Sequence, residues 1–196
     1  MSRLCYTCCV GKKSVDDPAV VSFVAAAQSF CGLLEAKSRR SKRQFLEQVL
    51  STTVALYRAG LQLPNVMPDP GFKPLGVWFE ENKRLPISEQ IKRNPKIQER
   101  RRRGQSIRRN IVLSLGSELR YQLVFDPFKD HESVTTTVSD DLEDIYCDVK
   151  EGLLAMAGLD RASASIVWQW KFDLEIHWGR HAVSAMNALH SLFFST

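Results

Sequence analysis

His177 and His181 stand four residues apart in the string His-Trp-Gly-Arg-His. On a helix that spacing stacks two imidazoles one turn apart on the same side. Two neutral imidazoles and one or two carboxylates can hold a divalent ion such as zinc, manganese or iron, with positions left open for water. The pair lacks the glutamate of the zinc-protease motif, so the spacing is only weakly specific. A purely structural pair, with no cofactor, asks for less: each ring donates to a carboxylate or carbonyl and fixes helix register. A buried imidazole needs such a partner in any case, because an unsatisfied polar group there costs about 1–3 kcal/mol. The structural reading is therefore preferred, with a divalent metal or a metal-free acid–base site as the alternatives.

Carboxylates for either reading come from the segment that Ser139 opens as an N-cap, with Asp140 and Asp141 in its positive first turn. Leu142, Ile145, Tyr146, Val149, Leu153 and Met156 share one face of this helix, which Gly158 closes. Asp141 and Asp148 flank that apolar stripe, Asp144 lies one step further out, and Asp140, Glu143 and Glu151 point to solvent. The histidines belong to a last helix capped by Asp160, with Gly179 as its one breaker and a length of about 50 Å. Val167, Trp170, Leu174, Trp178, Ala185, Ala188, Leu189 and Leu192 line its apolar face, His177 and His181 lie in the middle, and Asp173 sits one turn earlier. Adjacent helices bring Asp141, Asp144 and Asp148 within reach of His177 and His181.

The remaining elements complete a bundle. Asp17-Pro18 starts a helix that runs to about Lys37, and Ser41 with Gln44 forms a capping box for a second that Gly60 ends. Pro64, Pro68, Pro70 and Pro74 make 63–74 a loop, followed by a short amphipathic piece, Leu75 to Arg84. Asn94-Pro95 opens a third helix through an arginine run, and Ile111 to Phe125, broken by Gly116, reads as helical, with a buried strand the other possibility. The expected fold is all-α: a helical bundle of about four main helices with short extra helices and a proline-rich loop. Residues 17–196 form one domain behind a disordered tail, 1–16.

A chain of 196 residues, 44% hydrophobic and 25% charged, can bury one sizeable core. Val20 to Leu34 falls short of the roughly 20 apolar residues of a membrane span, and residues 1–10 have no basic start before an apolar run. A cytoplasmic protein is expected. Cys31 and Cys147 fall inside helical patterns and pack as small reduced thiols. Cys5, Cys8 and Cys9 have no second cysteine or histidine pair at finger spacing, so a frayed terminus is favoured over a zinc site. Nucleotide-binding glycine loops and the nucleophile elbow are absent.

The net charge of +5 conceals a strong separation. Residues 92–109 carry nine bases and one acid, and 126–160 carry ten acids and two bases. Arg100, Arg101, Arg102, Arg103, Arg108 and Arg109 suit phosphate oxygens, which makes nucleic acid a possible partner. The run has no interleaved aromatics for base stacking, and a solvated helix face lying against the acidic segment or another chain is the preferred reading.

Ser139 to Leu153 (SDDLEDIYCDVKEGL) and Trp168 to His190 (WQWKFDLEIHWGRHAVSAMNALH) resemble a bacterial family known as domain of unknown function 5063. Asp126-Pro127-Phe128 and the Phe45 to Pro64 helix are similar too, so the likeness runs over about half the chain. Cys147 departs from it, standing where a basic residue is expected. The resemblance implies a small helical protein without an assigned activity. It draws attention to Asp141, Asp144, Tyr146, Asp148, Trp170, His177, Trp178, Gly179, Arg180, His181 and His190, among which Trp170, Trp178, Arg180 and Tyr146 are the candidate walls of a site. The leading functional expectation is a protein-interaction or scaffold module. The alternatives are a metal-dependent enzyme built on the His/Asp cluster and nucleic-acid binding through residues 92–109.

Overall fold

The computed structural model describes residues 17–37, 40–74, 84–124, 128–129, 132–157, 159 and 162–195. The expected tail with Cys5, Cys8 and Cys9, the piece before Arg84, and the expected cap and stop at Asp160 and Gly158 lie outside the described residues.

Local capping chemistry sets the starts of the first helices. Asp17 Oδ1 accepts from the backbone N of Ala19 at 2.9 Å, and Pro18 fills the first turn, where no donor is needed, to begin α1 (Pro18–Glu35). Ser41 and Gln44 form the reciprocal capping box of α2 (Lys42–Leu61). Gly60 does not end α2. It lies inside the helix as a seat for Trp178, since a Cβ there would come within 2.7 Å of the indole. α1 is long and apolar enough to cross a membrane by length and composition, with mean hydropathy 1.4, yet Val20, Phe23, Phe30 and Leu34 are buried in the core.

After the loop through residues 63–74 comes the short α3 (Ile87–Arg93), then α4 (Pro95–Leu115), whose first amides donate to Asn94 Oδ1. The expected helix across Ile111 to Phe125 holds only to Leu115. Gly116 takes φ 79°, a left-handed stop that side chains resist. The chain then extends as β1 (Arg120–Leu123), with period-two burial, antiparallel to β2 (Val134–Thr137), and Tyr121 pairs with Thr136.

α5 (Val138–Met156) is the central helix, packed by α1, α4, α6 and α7. Its cap is Thr137 rather than Ser139: Thr137 Oγ1 accepts from the backbone N of Asp140 at 3.1 Å, and the buried Ser139 hydroxyl pairs with Thr137 at 3.0 Å. The expected single last helix is two. α6 (Ala164–Ile176) is capped by Ser163, and α7 (Trp178–Phe194) follows a break at His177, whose φ −138° and ψ −87° are not helical. Gly179 permits it. A Cβ at that position would stand 2.1 Å from the carbonyl oxygen of Leu174, so only glycine lets the two helices close on each other.

The core fills with large side chains from these elements. Phe23 meets the rings of Trp170 at 4.9 Å and Trp178 at 6.2 Å, in one buried cluster that also includes Leu46, Leu56, Leu142, Ile145 and Leu189. The architecture is all-α with one small hairpin sheet, seven helices lying among the described residues.

Candidate functional site

α5 and the α6–α7 joint face each other, and the carboxylates of one meet the imidazoles of the other. His177 Nδ1 donates to Asp148 Oδ2 at 2.6 Å, and His181 Nδ1 donates to Asp141 Oδ1 at 2.8 Å. Both acceptors are deeply buried; the side chain of Asp141 is 1% exposed and that of Asp148 8%. A carboxylate can only accept, so these bonds place a proton on Nδ1, and in the neutral ring Nε2 then keeps its lone pair. The rings lie 4.9 Å apart, inclined at 68°.

Asp144 sits between the two anchored aspartates on α5. Its Oδ2 is 3.5 Å from His181 Nε2, and one carboxylate oxygen of Asp144 with one ring nitrogen of each histidine all lie within 4.8 Å of one another. All five residues of the His/Asp cluster expected from the sequence are thus brought together.

Two residues of the site were not expected there. Arg100 of α4 donates to Asp148 Oδ1 at 2.5 Å and to the carbonyl of Cys147 at 3.0 Å, so Asp148 is gripped from both sides. Tyr121, carried in on β1, donates its hydroxyl to Asp141 Oδ2. Each histidine therefore has a carboxylate behind it and each carboxylate a further donor behind it. Asp173, one turn before His177, accepts from Gln169 Nε2 at 2.7 Å.

The electrostatics follow from these contacts. The hydrogen bond to Asp148 holds the His177 imidazolium above its usual range, against the cost of burial. For His181, burial pulls down, and the bond to Asp141 with the charge of Asp144 outweighs it, so the net direction is again up. Asp148 would be raised by burial, but His177 and Arg100 bring it below the ordinary carboxylate value. Asp144 has no such donors; burial raises it despite the nearby imidazoles. Burial and the charge of Asp148 push Asp173 up to about 6.

The candidate walls divide. Arg180 is exposed on the rim of a groove of about 670 Å³ that also reaches His177 and His181. Trp170 and Trp178 are not walls but core: their indoles donate to the carbonyls of Val149 and Trp170, each at 3.1 Å, and both are almost fully buried. Tyr146 points away from the histidines to Glu35 of α1, donating at 2.7 Å, because its place on the α5 stripe faces α1. Trp168, which leaves the main apolar face, stacks on Phe172 at 4.8 Å and meets Phe72 of the proline-rich loop edge-on. Asp69 ties that loop to the start of α6 through the Ser165 hydroxyl, 2.6 Å away.

The arginine run lies along the acidic helix. Arg100 is held by Asp148, Arg103 by Glu151 and Glu99, and Arg108 by Glu118 at 2.6 Å and Asp140 at 2.9 Å. Glu143, expected in solvent, is covered by α4 beside Gly104. Arg101, Arg102 and Arg109 occupy the exposed side.

No curated protein matches the chain in sequence. The crystal structure of protein BF1032 from Bacteroides fragilis is similar in fold, with a TM-score of 0.66 over 92% of this chain and 95% of that one at 22% identity. The sequence model described as domain of unknown function 5063 (DUF5063) matches residues 15–195, the arginine-rich middle included, and the chain belongs to that family.

Proposed function

We propose that Asp144, His177 and His181 bind a divalent transition metal and that the protein is a metal-dependent enzyme working at the mouth of the adjoining groove. The observation that carries this reading is the arrangement behind the rings. Metal-binding histidines characteristically donate the second ring N–H to a carboxylate, which fixes the tautomer and raises ligand basicity. Both histidines do so here, on separate buried aspartates, and both aspartates are themselves anchored, by Arg100 and Tyr121. A pair that served only to fix helix register would not need a third carboxylate within 4.8 Å of a ring nitrogen of each histidine.

The donor set suits the chemistry. Ion–ligand bonds of about 2.1 Å place tetrahedral ligands about 3.4 Å apart. The 3.5 Å between His181 Nε2 and Asp144 Oδ2 is already such an edge. Two imidazoles and one carboxylate leave positions for water or substrate, as in two-His-one-carboxylate centres, and a bound ion would supply Lewis acidity or an activated water. The chain's own part is to hold the three ligands, keep Nδ1 protonated and present the open side to the groove.

A nucleic-acid reading draws less from the arginine run than its charge suggests, since Arg100, Arg103 and Arg108 are engaged by acidic residues of the same chain. Elemental analysis of protein purified without a histidine tag is expected to find about one zinc, manganese or iron per chain. A chelator should then lower the melting temperature of the wild type, because binding at 100 times Kd stabilises the folded state by about 2.7 kcal/mol. The His177→Asn/His181→Gln double variant should be indifferent to the chelator. Protein without metal that takes up none on titration would refute the proposal.

A further inference from the structure

We infer that the groove in front of the two histidines takes a small molecule with two unlike ends, a metal-coordinating head and an unbranched apolar chain, in the manner of a medium-chain acyl compound. The inference rests on the metal reading above and names the class of molecule that the site would accept.

Four half-exposed aliphatic side chains from different parts of the fold converge on this one groove. Leu61 ends α2 and is 56% exposed, Val124 follows β1 at 40%, Ile176 ends α6 at 56% and Val183 lies on α7 at 50%. Scattered exposed aliphatics need no explanation, but a contiguous set in a concavity does. His177 and His181 line the same groove. Its volume, about 670 Å³, falls within the range of small-molecule clefts. Besides the imidazoles the lining carries Lys171, Glu175, Arg180 and Ser184, and the Lys171 ammonium is drawn onto the Leu61 carbonyl at 3.2 Å. A concave, mainly apolar groove that shares its lining with the two imidazoles matches one molecule with a coordinating end and an oily end.

Hydroxamates of increasing chain length test this on the zinc-loaded full chain by titration calorimetry, because their head coordinates zinc whatever the tail. Each methylene that leaves water tightens binding about fourfold. Octanohydroxamate has six more methylenes than acetohydroxamate, and if half of that length is covered it should bind about 50-fold more tightly. Val183→Asp should remove most of that chain-length dependence, with its circular dichroism and zinc stoichiometry read alongside. If acetohydroxamate binds zinc-loaded protein and lengthening the chain changes nothing, the inference is overturned while the metal site stands. If neither zinc nor any hydroxamate binds, the metal reading falls and takes the inference with it. A dimer by light scattering that Val183→Asp dissociates would also overturn it, by assigning the groove to a second copy.

Discussion

Asp144 and Asp148 are three and four residues from their neighbours on one helix face, yet replacing each by asparagine should have opposite consequences. Asp148 is buried and holds Arg100 at 2.5 Å and His177 at 2.6 Å. Breaking a buried pair by removing one partner costs about 3–5 kcal/mol. The Arg100 side chain keeps 23% exposure, and the asparagine oxygen can still accept one of the two bonds, so Asp148→Asn should cost roughly 2–3 kcal/mol. At about 2–4 °C per kcal/mol for a chain of this size, the melting temperature should fall by roughly 4–12 °C. Asp144 has 38% exposure, a single weak contact at 3.5 Å, and a carboxylate that burial disfavours. Asp144→Asn should therefore change the stability of metal-free protein by less than about 1 kcal/mol. Metal affinity should invert the order: losing the ligand Asp144 abolishes zinc binding, and losing the supporting Asp148 weakens it about 10- to 100-fold. Urea denaturation in chelator and zinc titration of both variants give the four numbers. If Asp144→Asn destabilises metal-free protein as much as Asp148→Asn, or binds zinc as the wild type does, the division between ligand and support is wrong.

Two further outcomes follow from the packing. Gly152→Ala would bring its Cβ within 2.2 Å of Trp170 Nε1 and dislodge the indole from the Val149 carbonyl, so a loss of about 3 kcal/mol is expected in urea denaturation; an unchanged midpoint would mean that α5 and α6 are not so closely apposed. Burial pushes the Cys31 thiol up to about 12 and that of Cys147 up to about 11. At pH 8 each is then about 0.1% thiolate or less, and peptide mass spectrometry after brief iodoacetamide treatment should find both unmodified in folded protein and modified in denaturant.

What was legible in the sequence was local or periodic. Asp17, Ser41 with Gln44, and Asn94 each cap a helix through bonds spanning two or three residues, so neighbouring residue types suffice to place them. The meeting of Asp141, Asp144 and Asp148 with the histidines followed from faces of two amphipathic helices. Thr137 displaced Ser139 as a cap because two competent hydroxyls lie two residues apart and the preceding strand decides which is extended. Tyr121 was missed since a strand in a small hairpin delivers it to Asp141, twenty residues on. The bond from Arg100 to Asp148 spans forty-eight residues and that from Tyr146 to Glu35 spans 111, and neither composition nor periodicity says which face of a helix meets which neighbour.

The break at His177 falls where two spacings that do not match face each other. The aspartates that anchor the rings, Asp141 and Asp148, are seven residues apart, about 10.5 Å along a helix, whereas the histidines at a spacing of four would rise only about 6 Å. On one straight helix antiparallel to α5, the side chains alone would have to span that difference. The chain here is not one straight helix, since His177 leaves it with φ −138° and ψ −87°. The amide of His177 still donates to the Asp173 carbonyl at 2.8 Å, so α6 ends in register, and α7 restarts with the bond from Arg180 to the His177 carbonyl at 3.0 Å. The two rings can then lean apart at 68° toward separate carboxylates while their centres stay 4.9 Å from each other. Asp144 lies three residues from one anchor and four from the other, which places it opposite the space between the rings. Gly179 makes this possible by letting α7 begin against the Leu174 carbonyl, so the glycine inside the His-Trp-Gly-Arg-His string belongs to the site through geometry although it offers no donor side chain.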